Sequence, residues 1–137
     1  MTQSAPPAPA NDLEKIQEQY QEILNSFQSI QLATVSTVCE PTASYSPSVI
    51  DDEGNFYIYV SEIADHTPNL LANGQASILI IEDEGTAGQI FARKRLGFKA
   101  LAKEVDRGSE AWESILDKFV AKFGRVMEHL KTMEDFH

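Results

Sequence analysis

The sequence predicts a mainly β domain with flanking helices, in which a small antiparallel barrel is covered by helices. Stretches rich in β-branched and aromatic residues fill the middle of the chain, whereas amphipathic helical patterns occupy its two ends. The connections from Ile50 to Phe56 and from Ile81 to Gln89 are too short for crossovers between parallel strands. The five predicted strands should therefore pair antiparallel.

Residues 1–11 are predicted to form a disordered tail, because the first ten residues hold three of the six prolines and little that a core would bury. The remaining residues, 12–137, are expected to form a single domain. Asp12 suits the N-cap of a first helix of about 15 residues. The apolar residues that follow at helical spacing are Leu13, Ile16, Tyr20, Ile23, Leu24 and Phe27.

Three strands are predicted after this helix, over Gln31–Val38, Thr42–Ile50 and Phe56–Ser61. The first two are joined by a turn at Glu40 and Pro41. The acidic, glycine-containing stretch 51–55 makes a tight turn before the third strand.

A short helix is predicted between His66 and Gly74, with Thr67 as its N-cap, a proline in its first turn and Gly74 just after its end. The next stretch, Ala76–Ile81, is almost continuously apolar, which predicts a strand buried on both faces. The C-terminal third is predicted to be helical, with an interruption at Gly124. Its apolar residues at helical spacing are Trp112, Ile115, Leu116, Phe119, Val120 and Phe123, followed by Val126, Met127, Leu130 and Met133.

A long fifth strand is predicted over Gln89–Val105, and it carries five of the 11 basic residues of the protein. Of the 11 basic residues, only Lys15 precedes it. Its apolar residues fall on even positions, so that the cations on odd positions share the opposite face of the strand. Lys94 breaks this alternation, which predicts a bulge or a side chain at the barrel rim. The cations on the shared face are Arg93, Arg95, Lys99 and Lys103, and this stripe indicates an anionic ligand.

The overall charge and the cysteine count restrict the function classes. The formal net charge of −10 disfavours nucleic acid as a partner, because the surface would repel a phosphate backbone. No apolar run reaches the roughly 20 residues that cross a bilayer. Cys39 is the one cysteine, so no intramolecular disulfide can form. We therefore expect a cytoplasmic protein without membrane insertion; P-loop, GxGxxG, CxxC and HExxH motifs are absent from the sequence.

Three segments of the sequence are distinctive, and they read YVSEIADHTPNLLAN, LIIEDE and IFARKRLGF. They resemble the HugZ/HutZ haem-utilisation family, a group within the pyridoxamine-phosphate-oxidase-like FMN-binding split barrels. The resemblance runs from about Leu32 to Phe136. It implies a homodimer of Greek-key split barrels that holds b-type haem at the subunit interface. Members of this family bind haem and in several cases degrade it with oxygen and an electron donor, which frees the iron for utilisation.

The resemblance also implies which residues serve the haem. His66, Arg95 and Asp135 match family residues placed at or near it. Arg95 matches the catalytic arginine on the distal side of the iron, and Asp135 matches the aspartate that hydrogen-bonds the axial histidine. From the charge pattern we add Arg93 and Lys99, whose cations suit the haem propionates. No histidine of this sequence matches the axial position, so no metal ligand is predicted.

Two other functions stay open at this point. Without the axial histidine, the chain is interpreted as a haem carrier or storage protein without turnover. With flavin in place of haem, the Arg93–Lys99 face and the N-terminus of the short helix would hold the FMN phosphate of an oxidoreductase. A purely structural interpretation is that the cations solvate an outer face and His66 fixes the entry to the short helix.

Overall fold

A computed structural model describes residues 10–137, so that residues 1–9 of the predicted tail lie outside the described part of the chain. Its helices are α1 (Ala10–Ser26), α2 (His66–Asn73), α3 (Glu110–Phe123) and α4 (Arg125–Leu130). Its strands are β1 (Ser29–Val35), β2 (Pro41–Ile50), β3 (Phe56–Ile58), β4 (Gln75–Ile81) and β5 (Arg95–Leu101). One turn of 3-10 helix, Ile90–Ala92, precedes β5.

The five strands form one curled antiparallel sheet in the order β3-β2-β1-β4-β5. The first three strands follow one another as a meander, and β4 returns to lie beside β1, which is a Greek-key arrangement. The predicted fold class, a mainly β antiparallel half-barrel with flanking helices, is confirmed.

The inner face of the sheet is covered by α1 and α2. The buried side chains there alternate with exposed ones along β1, as the two-residue period of a strand dictates. Burying a side chain of this size contributes about 1.5–3 kcal/mol. Aromatic contacts extend the core across the sheet, since the Phe56 ring lies 5.7 Å from Phe27 and 5.5 Å from Phe98. The buried core residues on this side are Phe27, Ile30, Leu32, Ile78 and Ile80.

A second core lies where α3 and α4 pack against the β2–β3 end of the opposite, outer face. Its buried residues are Val49, Leu116, Phe119 and Met127. The α3 helix starts where predicted from its apolar period, and its N-cap is Ser109, whose Oγ accepts from the Trp112 N–H at 3.2 Å. The two C-terminal helices thus cover the outer face at this end and leave the surface of β1, β4 and β5 open.

Gly74 ends α2 as predicted, with a φ of +70° that favours glycine. A Cβ at this position would lie 2.6 Å from the carbonyl oxygen of Ala102, whose N–H donates to the Gly74 carbonyl at 2.7 Å. The prediction of Thr67 as the N-cap was wrong. The helix begins at His66, and the Thr67 hydroxyl donates to the carbonyl of Ser61 at 2.5 Å, because the chain turns back on itself there.

The fifth strand is much shorter than predicted and spans only Arg95–Leu101. The residues before it form a loop tied to the end of β4: the Lys94 N–H donates to Glu82 Oε1 at 2.8 Å, and the Glu82 N–H donates to the Lys94 carbonyl at 2.9 Å. The bulge predicted at Lys94 is therefore wrong, and this residue is exposed in the loop. Arg93 and Lys103 lie outside the strand. The prediction was too long because the alternation of apolar residues in the sequence continues beyond both ends of the segment that pairs with β4.

Two further strand predictions need correction. β4 is buried on one face only, because Gln75 and Ser77 on its outer face are exposed. β3 ends at Ile58 rather than at Ser61. Beyond it, Val60 pairs instead with His137, through main-chain hydrogen bonds of 2.9 and 2.8 Å.

Candidate functional site

The outer face of the sheet carries two cations of β5 that the sequence placed on one side. Arg95 and Lys99 alternate with inward-facing residues, and Gly97 lies between them. These cations are four positions apart, which is roughly 13 Å along a strand. The registers of the strands continue from β5 across the sheet in two rows, Gly97–Leu79–Gln31–Tyr45 and Lys99–Ser77–Ala33–Ala43.

These two rows form the floor of an open groove of about 770 Å³. Most of the floor is small or apolar, and at its β2 side Tyr45 is 69% exposed. A Cβ added to Gly97 would meet nothing closer than the Ile78 carbonyl oxygen at 4.0 Å. The groove is therefore a shallow, largely apolar platform with positive charge along its β5 side.

The structure separates the two arginines that the sequence grouped. Arg93 is bound within its own loop: its Nε and Nη2 donate to the Glu82 carbonyl at 3.0 and 2.6 Å, and its Nη1 lies 3.8 Å from the Glu84 carboxylate. Arg95 is exposed, and its hydrogen bond within the described chain runs from Nη1 to the Arg93 carbonyl at 3.1 Å. Most of the Arg95 guanidinium is therefore free of contacts within residues 10–137, while Arg93 holds the loop before it.

His66 lies on the inner side of the sheet, at the start of α2, and is only 7% exposed. Its Nδ1 is 2.8 Å from Ser44 Oγ. Burial lowers the pKa of His66, with the nearby Asp65 charge acting in the opposite direction, so the imidazole is neutral at pH 7. In the same buried cluster, Asn69 Nδ2 donates to Thr34 Oγ1 at 3.0 Å. His66 is thus an internal polar contact of α2 rather than an exposed cation.

Asp135 belongs to the C-terminal segment, residues 131–137, which runs beside the end of β3. Its carbonyl accepts from the Glu62 N–H at 2.8 Å, and its carboxylate Oδ2 accepts from Ser61 Oγ at 3.4 Å. Asp135 as a whole is half-buried. The position of Asp135 is set by main-chain hydrogen bonds between the C-terminal segment and the β3–α2 connection.

The charged cluster around His137 was not predicted. Its Nδ1 lies 2.7 Å from the Glu104 carboxylate and its Nε2 lies 2.9 Å from the Glu62 carboxylate. The pKa of His137 is raised by its hydrogen bond to Glu104, which has the largest effect, and by its hydrogen bond to Glu62. The partners are 33 and 75 positions away in the sequence, so no local pattern could have indicated them.

The structure thus brings Arg95 and Lys99 together on the outer face and leaves Arg93 in the preceding loop. It places His66 at the buried start of α2, and Asp135 in the C-terminal segment beside the end of β3. Among residues 10–137, no group of three His, Cys, Asp or Glu side chains is arranged to hold a metal ion. Within the same residues, every helix is too short or too polar to span a bilayer.

Comparison with known proteins confirms the family resemblance that was noted in the sequence. The pyridoxamine 5'-phosphate oxidase family model matches residues 16–137. Heme oxygenase HutZ of Vibrio cholerae serotype O1 is 39% identical over 122 residues, which cover 89% of this chain and 69% of that protein.

Two solved structures share both sequence and fold with this chain. The crystal structure of HutZ, described as the heme storage protein from Vibrio cholerae, superimposes with a TM-score of 0.83 at 40% identity, over 87% of this chain and 83% of that one. The crystal structure of Campylobacter jejuni ChuZ gives a TM-score of 0.81 at 32% identity, over 90% of this chain and 51% of that one. The chain therefore belongs to the HugZ/HutZ haem-utilisation family, within the pyridoxamine 5'-phosphate oxidase-like split barrels.

Proposed function

We propose that this protein binds haem on the outer face of its sheet and degrades it oxidatively, so that iron is released. The observation that carries the proposal is the apolar groove that Lys99 lines, with Arg95 on the same face of β5. A relative with 39% identity is named a heme oxygenase, which supports haem as the substrate. A cytoplasmic setting belongs to the same proposal.

The chemistry of the groove fits this substrate. Haem presents a flat apolar ring and two propionate carboxylates. The small floor residues around Gly97 let a ring lie against the sheet, and the Tyr45 ring offers an aromatic contact at the far side. Lys99 and Arg95 supply cations for carboxylates. In a protein with a net charge of −10, a local cationic edge also directs a dianion to this face.

The cations of β5 and of the loop before it have roles set by their positions. Haem supplies the oxidative chemistry, and an external donor of unknown identity supplies the electrons. Arg95 would donate hydrogen bonds to negative charge that develops beside it during turnover. Lys99 binds a propionate. Arg93, bound to the Glu82 carbonyl, fixes the loop from which Arg95 emerges.

His66 and Asp135 support the haem site from outside the groove. The neutral His66 imidazole anchors α2 through Ser44. Asp135 would offer its carboxylate as acceptor for the N–H of an imidazole bound with the haem, and would so orient that ligand. Because no histidine of the sequence matches the axial position of the family, imidazole in solution is a suitable probe for this role.

A second copy of the chain is proposed to cover the groove, so that haem lies at a homodimer interface. Tyr45 is largely exposed beside the apolar floor, and an uncovered apolar surface of this kind marks an interaction site. Tyr45→Glu should weaken self-association in sedimentation experiments. Val38→Glu, in the exposed β1–β2 connection, is the matched control and should associate as wild type. A monomeric wild-type protein would contradict the interface.

Binding and turnover are tested in sequence. Haem is titrated into the protein, with and without imidazole, and a saturable Soret band is expected. A reductant and oxygen are then added, and we expect the Soret band to decay while a ferrous-iron chelator reports released iron. Loss of the band without iron release would contradict the proposed degradation.

Storage of haem without turnover is the second candidate, because the crystal structure of the Vibrio relative is described as that of a heme storage protein. A Soret band that persists under reductant and oxygen would favour it. FMN binding is the third, on account of the matching family model. A yellow, fluorescent protein would favour flavin, although the Thr67 N–H at the start of α2 already donates to the Ala64 carbonyl at 3.1 Å and offers little to a phosphate.

A further inference from the structure

The C-terminal segment, residues 131–137, is irregular and depends on contacts with the rest of the molecule for its position. On one side it is joined to the β3–α2 connection, through the Val60–His137 pair and through the Glu62 N–H, which donates to the Asp135 carbonyl. On its other side lies Arg107, in the connection between β5 and α3.

Arg107 binds two main-chain carbonyls of this segment at once. Its Nη2 donates to the Phe136 carbonyl at 2.6 Å and to the Met133 carbonyl at 3.2 Å. Its guanidinium carbon lies 5.2 Å from the centroid of the Trp112 ring, where a cation is attracted by the ring face. We call Arg107 together with these two carbonyls the Arg107 clamp.

Arg107 lies in a turn whose conformation is fixed by hydrogen bonds. The turn before α3 is closed by the Ser109 N–H, which donates to the Asp106 carbonyl at 3.1 Å, and by the Ser109 hydroxyl, which donates to the same carbonyl at 2.7 Å. The Ser109 oxygen also caps α3 by accepting from the Trp112 N–H. Arg107 and the ring beneath it are therefore held by one short, hydrogen-bonded element.

The two clamped carbonyls flank Asp135, but the carboxylate of Asp135 is not itself clamped. Among the described residues it has no ion-pair partner, and its contact is the 3.4 Å hydrogen bond from Ser61. A guanidinium that paired with the carboxylate directly would occupy its acceptor sites. By binding the main chain instead, Arg107 fixes the position of Asp135 and leaves its oxygens available to a donor.

We propose that Arg107 is a positioning residue for Asp135, which it holds in place for the donor group that this carboxylate meets in the haem complex. The inference rests on the proposed function for the role of Asp135, and on the hydrogen bonds of the clamp for everything else. A guanidinium suits the task better than an ammonium, because its planar face can lie on an aromatic ring while a nitrogen at its edge donates to both carbonyls.

The first test does not involve haem. Amide hydrogen exchange is compared in Arg107→Gln and in Arg125→Gln, a control in which an exposed arginine of α4 is changed in the same way. The Glu62 N–H, which bonds to Asp135, and the His137 N–H should exchange at least about 10-fold faster in the first variant and as wild type in the control. Unchanged exchange in Arg107→Gln would overturn the proposal. If that variant fails to fold, Arg107→Lys replaces it, with an intermediate increase expected.

The second test couples the two residues in the haem complex. Asp135→Asn, Arg107→Gln and the double variant are compared by the position of the Soret band with imidazole present and by the rate of haem loss. If Arg107 acts through Asp135, the double variant should be no worse than Asp135→Asn alone. Independent, multiplicative losses would overturn the proposal. If the wild type binds no haem, the proposed function fails, and the exchange experiment alone decides whether Arg107 fixes Asp135.

Discussion

The two faces of the same sheet treat their polar groups in opposite ways. On the inner face, hydroxyl, amide and imidazole groups find partners inside the chain, as Ser44 does with His66 and Asn69 with Thr34. Every buried side-chain nitrogen and oxygen among the described residues has a hydrogen-bond partner. On the outer face, the Lys99 ammonium has no hydrogen-bond or ion-pair partner within residues 10–137, and Arg95 donates only to a neighbouring carbonyl.

This difference separates polar groups that support the fold from cations that are open to the proposed ligand. A buried polar group that loses its partner bears the full cost of desolvation, so the inner face is sensitive to substitution. An exposed cation contributes little to folding and remains available for binding. Substitutions of the buried polar groups on the inner face should therefore lower stability, and substitutions of the exposed outer-face cations Arg95 and Lys99 should lower function while stability is retained.

The largest effect is expected at Arg95 on the outer face. Arg95→Ala should reduce the rate of haem degradation about 100-fold, with a much smaller loss of haem affinity, because its donors act on charge that develops during turnover. Soret decay under reductant and oxygen gives the rate, and a haem titration gives the affinity. Lys99→Ala is the control on the same strand face and should mainly weaken binding. Equal turnover in Arg95→Ala and wild type would remove Arg95 from the mechanism.

A substitution on the inner face should have the opposite signature. Asn69→Leu removes the amide that donates to Thr34 and, at 3.4 Å, to Thr42, and should lower the free energy of unfolding by about 1–3 kcal/mol. Urea denaturation measures the change. Asn25→Leu, at an exposed position of α1, should stay within about 0.5 kcal/mol of wild type. A stable Asn69→Leu protein would show that the buried cluster does not hold α2.

Acidification should weaken the inner face through His66. Burial lowers its pKa below the ordinary value of 6.5 in the folded protein, so as the pH falls through 6.5 the unfolded chain takes up the proton first. The stability contributed by the neutral imidazole is therefore lost progressively from pH 6.5 downwards. The measurement is the free energy of unfolding at pH 7.5 and pH 5, in wild type and in His66→Gln. The same acid slope in both proteins would rule out His66 as its source.

The smallest effect should come from His137, and its sign is reversed. Its pKa is raised by Glu104 and Glu62, so the stability from this cluster is fully present below pH 6.5 and is lost as the pH rises through the raised folded pKa. The effect is small because the pairs are partly exposed and screened by solvent. Wild type should lose stability relative to His137→Gln between pH 6.5 and pH 9, and addition of salt should reduce the difference. A difference that does not depend on pH would contradict the ion pairs.

Much of the fold was predictable because its signals are local. The apolar period of α3, the glycine that ends α2 and the alternation of Arg95, Gly97 and Lys99 each follow from the geometry of one element. The ends of β5 and of β3 were predicted wrongly, because strand ends depend on the partner strand. Arg93 shows the limit for the candidate site: it continues the odd-numbered pattern, yet Glu82, 11 positions earlier, binds it within a loop.

The amino-acid sequence alone determines the order of helices and strands and places cations on one side of β5. Both depend only on neighbouring residues and on the two-residue or 3.6-residue period of the backbone. Only the packed molecule decides that His66 is buried and neutral while His137 lies between two carboxylates. It also decides that Arg107 binds the carbonyls of Met133 and Phe136, which lie on either side of Asp135 and are 26 and 29 positions after Arg107 in the sequence. These contacts join groups that are distant along the chain, and they exist because the Greek-key sheet and its helices bring the ends of β3 and β5 and the C-terminal segment together.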